Sequence, residues 1–452
     1  MAFTEDHLEF FHSEPIHDRD FTIEEAVTEA KRCLHCKVPQ CRKGCPIENE
    51  IPQFIHELAQ GNFGTAATYL YHRSDLPALC GRVCPREEQC EGSCILGKKG
   101  KPIAIGKLER LVADIALDAK LLPVKPSKKT SGTVAIIGCG PAGMAAAQEL
   151  AKRDYEVTIY EGASEPGGML TYGIPTFRLH KELVYRETAL LEKLGVTIFY
   201  NTKVGTDVDM ESLCRDFDAV FIGVGAMAGW NLGVENDDIP GVVDAAHYLY
   251  QIEQVQHGEA SRESLPIQKG DHVIVIGAGN VAIDAARTSV RLGADVKIVY
   301  RRGEKNMKCL PSEYEEAKDD GVVFQFYSAP RAVVGTDHVE GLRYEEQEIL
   351  EDATMVPTGR FGVVKANKIV AAIGNRPELD VIKKLGITCD DDGYLATRSV
   401  PYGMTSKAGV FAAGDIVHKP QTVVLAMREG RRVGQSIDEY IRAKRLMDAT
   451  RE

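Results

Sequence analysis

Eight of the chain's twelve cysteines fall between positions 33 and 94, in two runs that an ordinary hydrophobic core does not call for. The first is Cys33, Cys36, Cys41 and Cys45, spaced C-x2-C-x4-C-x3-C with Pro46 behind it; the second is Cys80, Cys84, Cys90 and Cys94. Three chemistries compete for such a set. Disulfides need an oxidising compartment. The opening MAFTEDHLEF has no basic segment followed by an apolar one, so the expected compartment is the reducing cytoplasm. Zinc sites usually pair two C-x2-C units across a longer spacer. Compact runs closed by Cys-Pro have instead the spacing with which thiolates hold 4Fe–4S clusters, and the Cys before Pro often ligates a neighbouring cluster. Iron–sulfur ligation is therefore the preferred reading, with zinc the alternative.

A chain of 452 residues, 44% hydrophobic and 27% charged, has room for about three globular domains. Its net charge of −12 argues against a nucleic-acid footprint and leaves room only for a local basic patch facing an acidic partner. No run of eighteen apolar residues exists to span a membrane. Thr22 with Glu25 three residues on predicts the capped start of a helix over 22–35 that delivers Cys33. Further helices are predicted over 51–60, 64–72 and 103–119. Residues 1–125 thus read as a helical, cluster-bearing domain, and LLPVKPSKKTSG at 121–132 as the linker behind it.

After the linker comes TVAIIGCGPAGMAAAQELAKRDYEVTIYEG, a strand, then Gly138, Gly140 and Gly143 in G-x-G-x-x-G, a helix, and a second strand ending in Glu161. The glycines let backbone N–H groups approach a pyrophosphate at the helix start, and the carboxylate accepts ribose hydroxyls. HVIVIGAGNVAIDAARTSVRLGADVKIVYRRGEK repeats the unit with Gly277, Gly279 and Ala282. Its second strand ends in Tyr300, Arg301 and Arg302, and a guanidinium there suits a 2′-phosphate, which favours NADPH over NADH. No G-K-[ST] phosphate loop, H-E-x-x-H or Ser-His-Asp arrangement is recognisable, and no histidine is singled out as catalytic.

Near the end, GVFAAGDIV places Asp415 after a short apolar strand, and Thr422, Val423 and Val424 open an amphipathic helix. Two dinucleotide units, the A-G-D triplet and AAIGNRP at 371–377 resemble the two-dinucleotide-domain flavoproteins of the glutathione reductase type. That resemblance implies an α/β fold in which two Rossmann-like domains follow the helical one. A discontinuous FAD domain is expected at 130–245 and 366–452, with the NADP domain, 246–365, inserted in it. Adding CLHCKVPQCRKGCP, GRVCPREEQCEGSC, AIGKLER and EGASEPGGMLTYGIPTFRL, the chain resembles the glutamate synthase small-subunit family. Relatives of that family include the N-terminal part of dihydropyrimidine dehydrogenase and the large subunit of the bifurcating NADH-dependent ferredoxin:NADP oxidoreductase.

The resemblance implies one 4Fe–4S cluster on Cys33, Cys36, Cys41 and Cys94, and a second on Cys45, Cys84, Cys90 and Glu109. Spacing alone leaves Cys80 as the alternative to Glu109. It implies an FAD site of Gly138, Gly140, Pro141, Ala142, Gly143, Glu161, Gly168, Met169, Leu170, Arg178, Gly225, Gly414, Asp415, Thr422 and Val423. It implies an NADP site of Gly277, Gly279, Asn280, Val281, Arg301, Arg302, Ala372 and Gly374. The family's proline after F-R-L is His180 here, and KCLPSEYEEA follows Met307 with extra residues before its proline. The segment 161–175 has no cysteine pair, which argues against disulfide reduction, and Cys139, Cys214, Cys309 and Cys389 read as small buried hydrophobes.

The implied activity is hydride exchange between NADP(H) and FAD, with single electrons passed through two clusters to a partner; the cofactors carry the chemistry and no side chain is assigned as catalytic. The partner is a glutamate synthase large subunit, or the flavin/2Fe–2S subunits or ferredoxin of a bifurcating complex, or the second subunit of a dihydropyrimidine dehydrogenase. A hetero-oligomer is expected in each case. The non-enzyme alternative is a redox-sensing scaffold.

Overall fold

The computed structural model describes residues 20–122, 124–350 and 354–450. The first and last residues of the expected helical and FAD domains, and position 123 of the linker, lie outside that set. Helix α1 (Ile23–Ala30) starts at the Thr22 capping box, with Thr22 N donating to Glu25 Oε2 at 2.9 Å and Glu25 N to Thr22 Oγ1 at 3.2 Å. It stops short of the expected residue 35. Cys33 N bonds the Ala30 carbonyl at 3.1 Å and His35 takes φ 45°, so Cys33 sits on the turn after the helix.

Helix α2 (Gln40–Gly44) carries Cys41, and α3 (Ile51–Ala59), α4 (Phe63–Arg73), α5 (Pro77–Val83) and α6 (Ile105–Asp118) follow. The three predicted helices at 51–60, 64–72 and 103–119 correspond to α3, α4 and α6. Their apolar spacing, Ile51, Phe54 and Leu58 on α3 and Leu108 and Val112 on α6, makes one buried core. A Cβ on Gly81 of α5 would lie 3.0 Å from the Gly106 carbonyl of α6, so these two helices meet backbone to backbone.

Next come β1 (Thr133–Ile137), α7 (Pro141–Ala151), β2 (Glu156–Tyr160), α8 (Lys181–Lys193), β3 (Thr197–Phe199) and β4 (Ala219–Ile222). The linker is pinned along this fold, with Ser127 N bonding Leu194 O at 2.8 Å and Ser127 Oγ bonding Tyr155 O at 2.7 Å. The chain then builds β5 (Ala228–Gly229), β6 (Val242–Asp244), α9 (Ala245–Gln256), β7 (His272–Ile276), α10 (Asn280–Arg291), β8 (Asp295–Val299), α11 (Pro311–Asp319) and β9 (Val323–Gln325). An antiparallel sheet of β10 (Ser328–Val334), β11 (Gly341–Ile349) and β12 (Met355–Lys365) leads to β13 (Lys368–Ala371) and β14 (Asn375–Arg376). Finally β15 (Val410–Ala412) and α12 (Val423–Ala449) complete the first fold, whose parallel sheet has the order β15-β4-β1-β2-β3. The second parallel sheet has the order β6-β13-β7-β8-β9.

Two compact units result among the described residues: 20–171 with 179–226 and 377–450, and 172–178 with 227–376. The expected boundaries at 245 and 366 therefore fall inside the second unit. The reason is pairing: β6 (Val242–Asp244) and β13 (Lys368–Ala371) are strands of the second sheet, and the separate β5–β14 ribbon extends the unit to residues 228 and 376. No helix among the described residues is long and apolar enough to cross a membrane.

Within the first unit, α8 joins the helical part to the nucleotide fold. Glu187 is 2% exposed, and its Oε1 accepts from Ala78 N (3.1 Å) at the start of α5 and from Tyr71 Oη (3.3 Å). Arg431 of α12 adds donations to the Arg73 and His72 carbonyls at 3.0 and 3.2 Å. Glu187 Oε2 has no partner, and burial pushes the carboxyl up to about 8. The folded chain thus holds a proton there that the unfolded chain has lost above 4.5, so stability falls as pH rises from 4.5 through 8. Thermal unfolding followed across that window is expected to show the decline, up to about 1.4 kcal/mol per pH unit. Glu187→Gln, which keeps the acceptor oxygen, is expected to flatten it; parallel profiles would contradict the assignment.

Candidate redox sites

The two cysteine runs interleave. One cavity is lined by Cys33, Cys36 and Cys41 of the first run and Cys94 of the second, with Pro39, Ile51, Ile55 and Ile103 among its apolar walls. Burial raises the Cys33 thiol and pushes Cys41 up to about 11, and the facing cysteines of the cavity raise both further. Cys45, Cys84, Cys90 and Glu109 form a second group. Burial pushes Cys45 up to about 11 and raises Cys90, and the Glu109 carboxylate acts on Cys45, Cys84 and Cys90 alike. Glu109 is itself raised to about 8, by burial first and Glu91 second. Cys80 is 3% exposed and hydrogen-bonds the Cys84 thiol, so it lies in this group too.

What brings Cys45 to Cys90 is a close approach: a Cβ on Gly44 would meet Ser93 Oγ at 2.1 Å and Gln89 O at 2.6 Å. Helix α2 can lie on the second cysteine loop only because position 44 has no side chain. Among the described residues no three His, Cys, Asp or Glu converge as ligands of a single ion would. A four-iron cluster asks instead for a spread of thiolates, one per iron, in apolar surroundings, and the donor set fits that demand.

The first glycine loop turns at Gly138 (φ 97°) into α7, and a Cβ on Gly143 would lie 2.0 Å from the Gly138 carbonyl. Gly140, the residue before Pro141 and Ala142, faces open space up to the Gly168 Cα at 4.0 Å. Glu161 at the end of β2 accepts from Cys139 N (2.6 Å) and Ala163 N (2.8 Å). Gly168 lies at φ 55° before Met169 and Leu170, and Gly225 and Gly414 also take positive φ. Asp415, raised by desolvation to about 6, accepts from Gln421 N at 3.3 Å, and the buried Oγ1 of Thr422, beside Val423, has no partner. These groups share the first unit and fit a dinucleotide. Lys181, which the sequence did not single out, donates its buried Nζ to Leu170 O at 3.0 Å and so holds the segment over the glycine loop. Arg178 belongs to the other unit, where Asp284 (2.6 Å) and Glu313 take its guanidinium.

In the second unit, Gly277 sits at φ 131°, with the position of an added Cβ 2.2 Å from Ala372 O, and Gly279 faces open space at the start of α10. Asn280 Oδ1, ahead of Val281, is buried without a partner, as a group awaiting a ligand is. Arg301 and Arg302 follow β8, and neither makes an ion pair among the described residues. The extra residues after Met307 let Lys308 N bond Ala278 O at 2.9 Å, tying that loop to the glycine turn. Cys139 and Cys309 are buried, while Cys214 and Cys389 pack at the edge of the first sheet's core.

The family described as dihydropyrimidine dehydrogenase domain II, 4Fe-4S cluster, matches residues 14–121. The pyridine nucleotide-disulphide oxidoreductase family matches residues 132–430. The small chain of NADPH glutamate synthase from Escherichia coli is 35% identical over 439 residues, covering 93% of this chain and 92% of its own. A subunit of NAD-dependent dihydropyrimidine dehydrogenase from the same organism is 34% identical, covering 93% and 95%. The structure of Mycobacterium tuberculosis FprA with NADPH superposes with a TM-score of 0.61 at 20% identity, over 72% of this chain and 86% of that one, which shows the shared fold. A cluster-bearing helical domain ahead of two dinucleotide folds, matched along almost its whole length, makes this chain a member of the glutamate synthase small-subunit family, an oxidoreductase using NADPH, FAD and 4Fe–4S clusters.

Proposed function

We propose that the chain is the electron-input subunit of a larger cytoplasmic assembly, carrying two 4Fe–4S clusters between its flavin and an acidic partner. When bound, NADPH supplies a hydride, FAD accepts it, and the clusters take the electrons singly. The chain's part is to hold and separate these groups. Gly138, Gly140 and Gly143 present backbone N–H groups to the FAD pyrophosphate, with Glu161 on its ribose and Asp415 and Thr422 at the other end. Gly277, Gly279 and Asn280 do the same for NADPH, and Arg301 and Arg302 take the 2′-phosphate. Cys33, Cys36, Cys41 and Cys94 hold one cluster; Cys45, Cys84, Cys90 and Glu109 hold the other, with Cys80 packed beside the Cys84 sulfur.

The observation that carries this reading is the rim of the Cys33–Cys94 cavity. In a chain of net charge −12, residues 31–43 and 95–103 hold eight Lys and Arg and no Asp or Glu. Among the described residues Lys31, Lys37, Lys98, Lys99 and Lys101 are exposed and make no ion pair, and Leu34 (59%), Val38 (54%) and Ile95 (38%) stand exposed between them. An apolar centre with an unpaired basic margin suits transient docking of an acidic electron acceptor.

Anaerobic titration of the cluster-loaded protein with NADPH is expected to bleach the flavin and bring up the EPR signals of reduced clusters. Bleached flavin with clusters that stay oxidised would refute simple downhill transfer and favour the NADP-handling subunit of a bifurcating complex. Lys99→Glu with Lys101→Glu is expected to lower kcat/KM for an acidic ferredoxin by about tenfold and weaken its salt dependence, leaving reduction of a neutral dye unchanged. An equal loss with both acceptors would remove the rim from the account.

A further inference from the structure

We propose that Trp230 forms the wall against which the nicotinamide half of NADPH stacks. This rests on the reading that the second glycine fingerprint binds the nucleotide. In the second sheet, β7 is followed outward by β8 and β9 on one side, while β13 and β6 lie on the other, all parallel. The strand order therefore reverses between β7 and β13, and dinucleotides cross a parallel sheet at that point, outside the carboxyl ends of the strands. Gly277 after β7 and Ala372 after β13 touch there. Arg301 and Arg302, after β8, mark the side that takes the 2′-phosphate and adenine. The nicotinamide half must then extend the other way, over the ends of β13 and β6.

The side chains waiting on that side are apolar and exposed. Trp230 is 41% exposed and Ile373 44%, against the rule that an indole of this size is covered. The ring is also held in place. Trp230 N donates to Gly374 O at 3.1 Å, directly after the β5–β14 pair. The Arg376 guanidinium lies 5.0 Å from the ring centroid, and the Cδ1 edge faces Gly374, which takes φ 120°. The base of this ribbon is fixed to the sheet, since Asp244 at the end of β6 accepts from Gly229 N at 2.6 Å and caps α9 through Ala246 N at 2.8 Å. A pre-placed aromatic face at the nicotinamide end of a dinucleotide crevice offers stacking to a flat heteroaromatic ring. Arg376 against one face of the ring limits the rotamers the indole must give up on binding.

Trp230 is the chain's one tryptophan, so its fluorescence reports this position alone. NADP+ added to the flavin- and cluster-loaded protein is expected to quench it, while adenosine 2′,5′-bisphosphate, which lacks the nicotinamide half, binds without doing so. Trp230→Leu is expected to weaken NADP+ roughly three- to tenfold and leave adenosine 2′,5′-bisphosphate unchanged, with Trp230→Phe restoring most of the loss. Equal weakening of both ligands, or quenching by both, would make the residue structural and overturn the proposal. Failure of the bisphosphate to bind the unaltered protein would instead overturn the assignment of the fingerprint itself.

Discussion

The cysteines of the helical domain can ionise together only beside a cationic centre. Its thiols are removed from water and face one another: burial alone raises Cys33, Cys41, Cys45 and Cys90, and the neighbouring groups raise them further. A protein cannot hold several buried thiolates and the Glu109 carboxylate side by side without a compensating charge. Iron–sulfur cores supply that charge. The same environment that makes the empty thiols reluctant to ionise makes the loaded site dry, and a dry site lets hydrogen bonds to sulfur set the potential.

The rest of the first unit preserves that arrangement. Glycine at 44 lets α2 rest on the loop of the second run, and Gly81 with Gly106 sets α5 against α6, so that Cys84 and Glu109 come together. Helix α5 is in turn fixed at its start by Glu187 from the nucleotide fold, whose buried carboxyl bonds Ala78 N. The cluster group that contains Cys84 is thereby anchored to the fold that carries the flavin residues, while the Cys33–Cys94 cavity keeps its exposed basic rim.

Much of this was legible in the sequence because it is written in short-range chemistry. The Thr22–Glu25 capping box, the apolar spacing of α3 and α6, and the two glycine fingerprints each specify local backbone, and the structure has them. The family resemblance, not spacing, placed Cys94 with the first run; in the structure Cys33, Cys36, Cys41 and Cys94 line one cavity. Long-range pairing was harder to read. Nothing local says that Lys368–Ala371 belongs to the second sheet rather than the first, because both sheets want a short apolar strand followed by Gly. Arg178 likewise follows a flavin-like segment, yet Asp284 and Glu313 hold it in the other unit. Trp230 carried no motif at all; its meaning comes from the strand order around it.

We propose that the two runs trade Cys45 and Cys94, so that two clusters form from interleaved ligands. The most direct test is iron per flavin, with EPR of the dithionite-reduced protein, in the wild type and in Cys94→Ala and Cys80→Ala. The account predicts about eight irons in the wild type, about four in Cys94→Ala with one cluster signal left intact, and about eight in Cys80→Ala. Loss of four irons in Cys80→Ala, or full iron in Cys94→Ala, would contradict it.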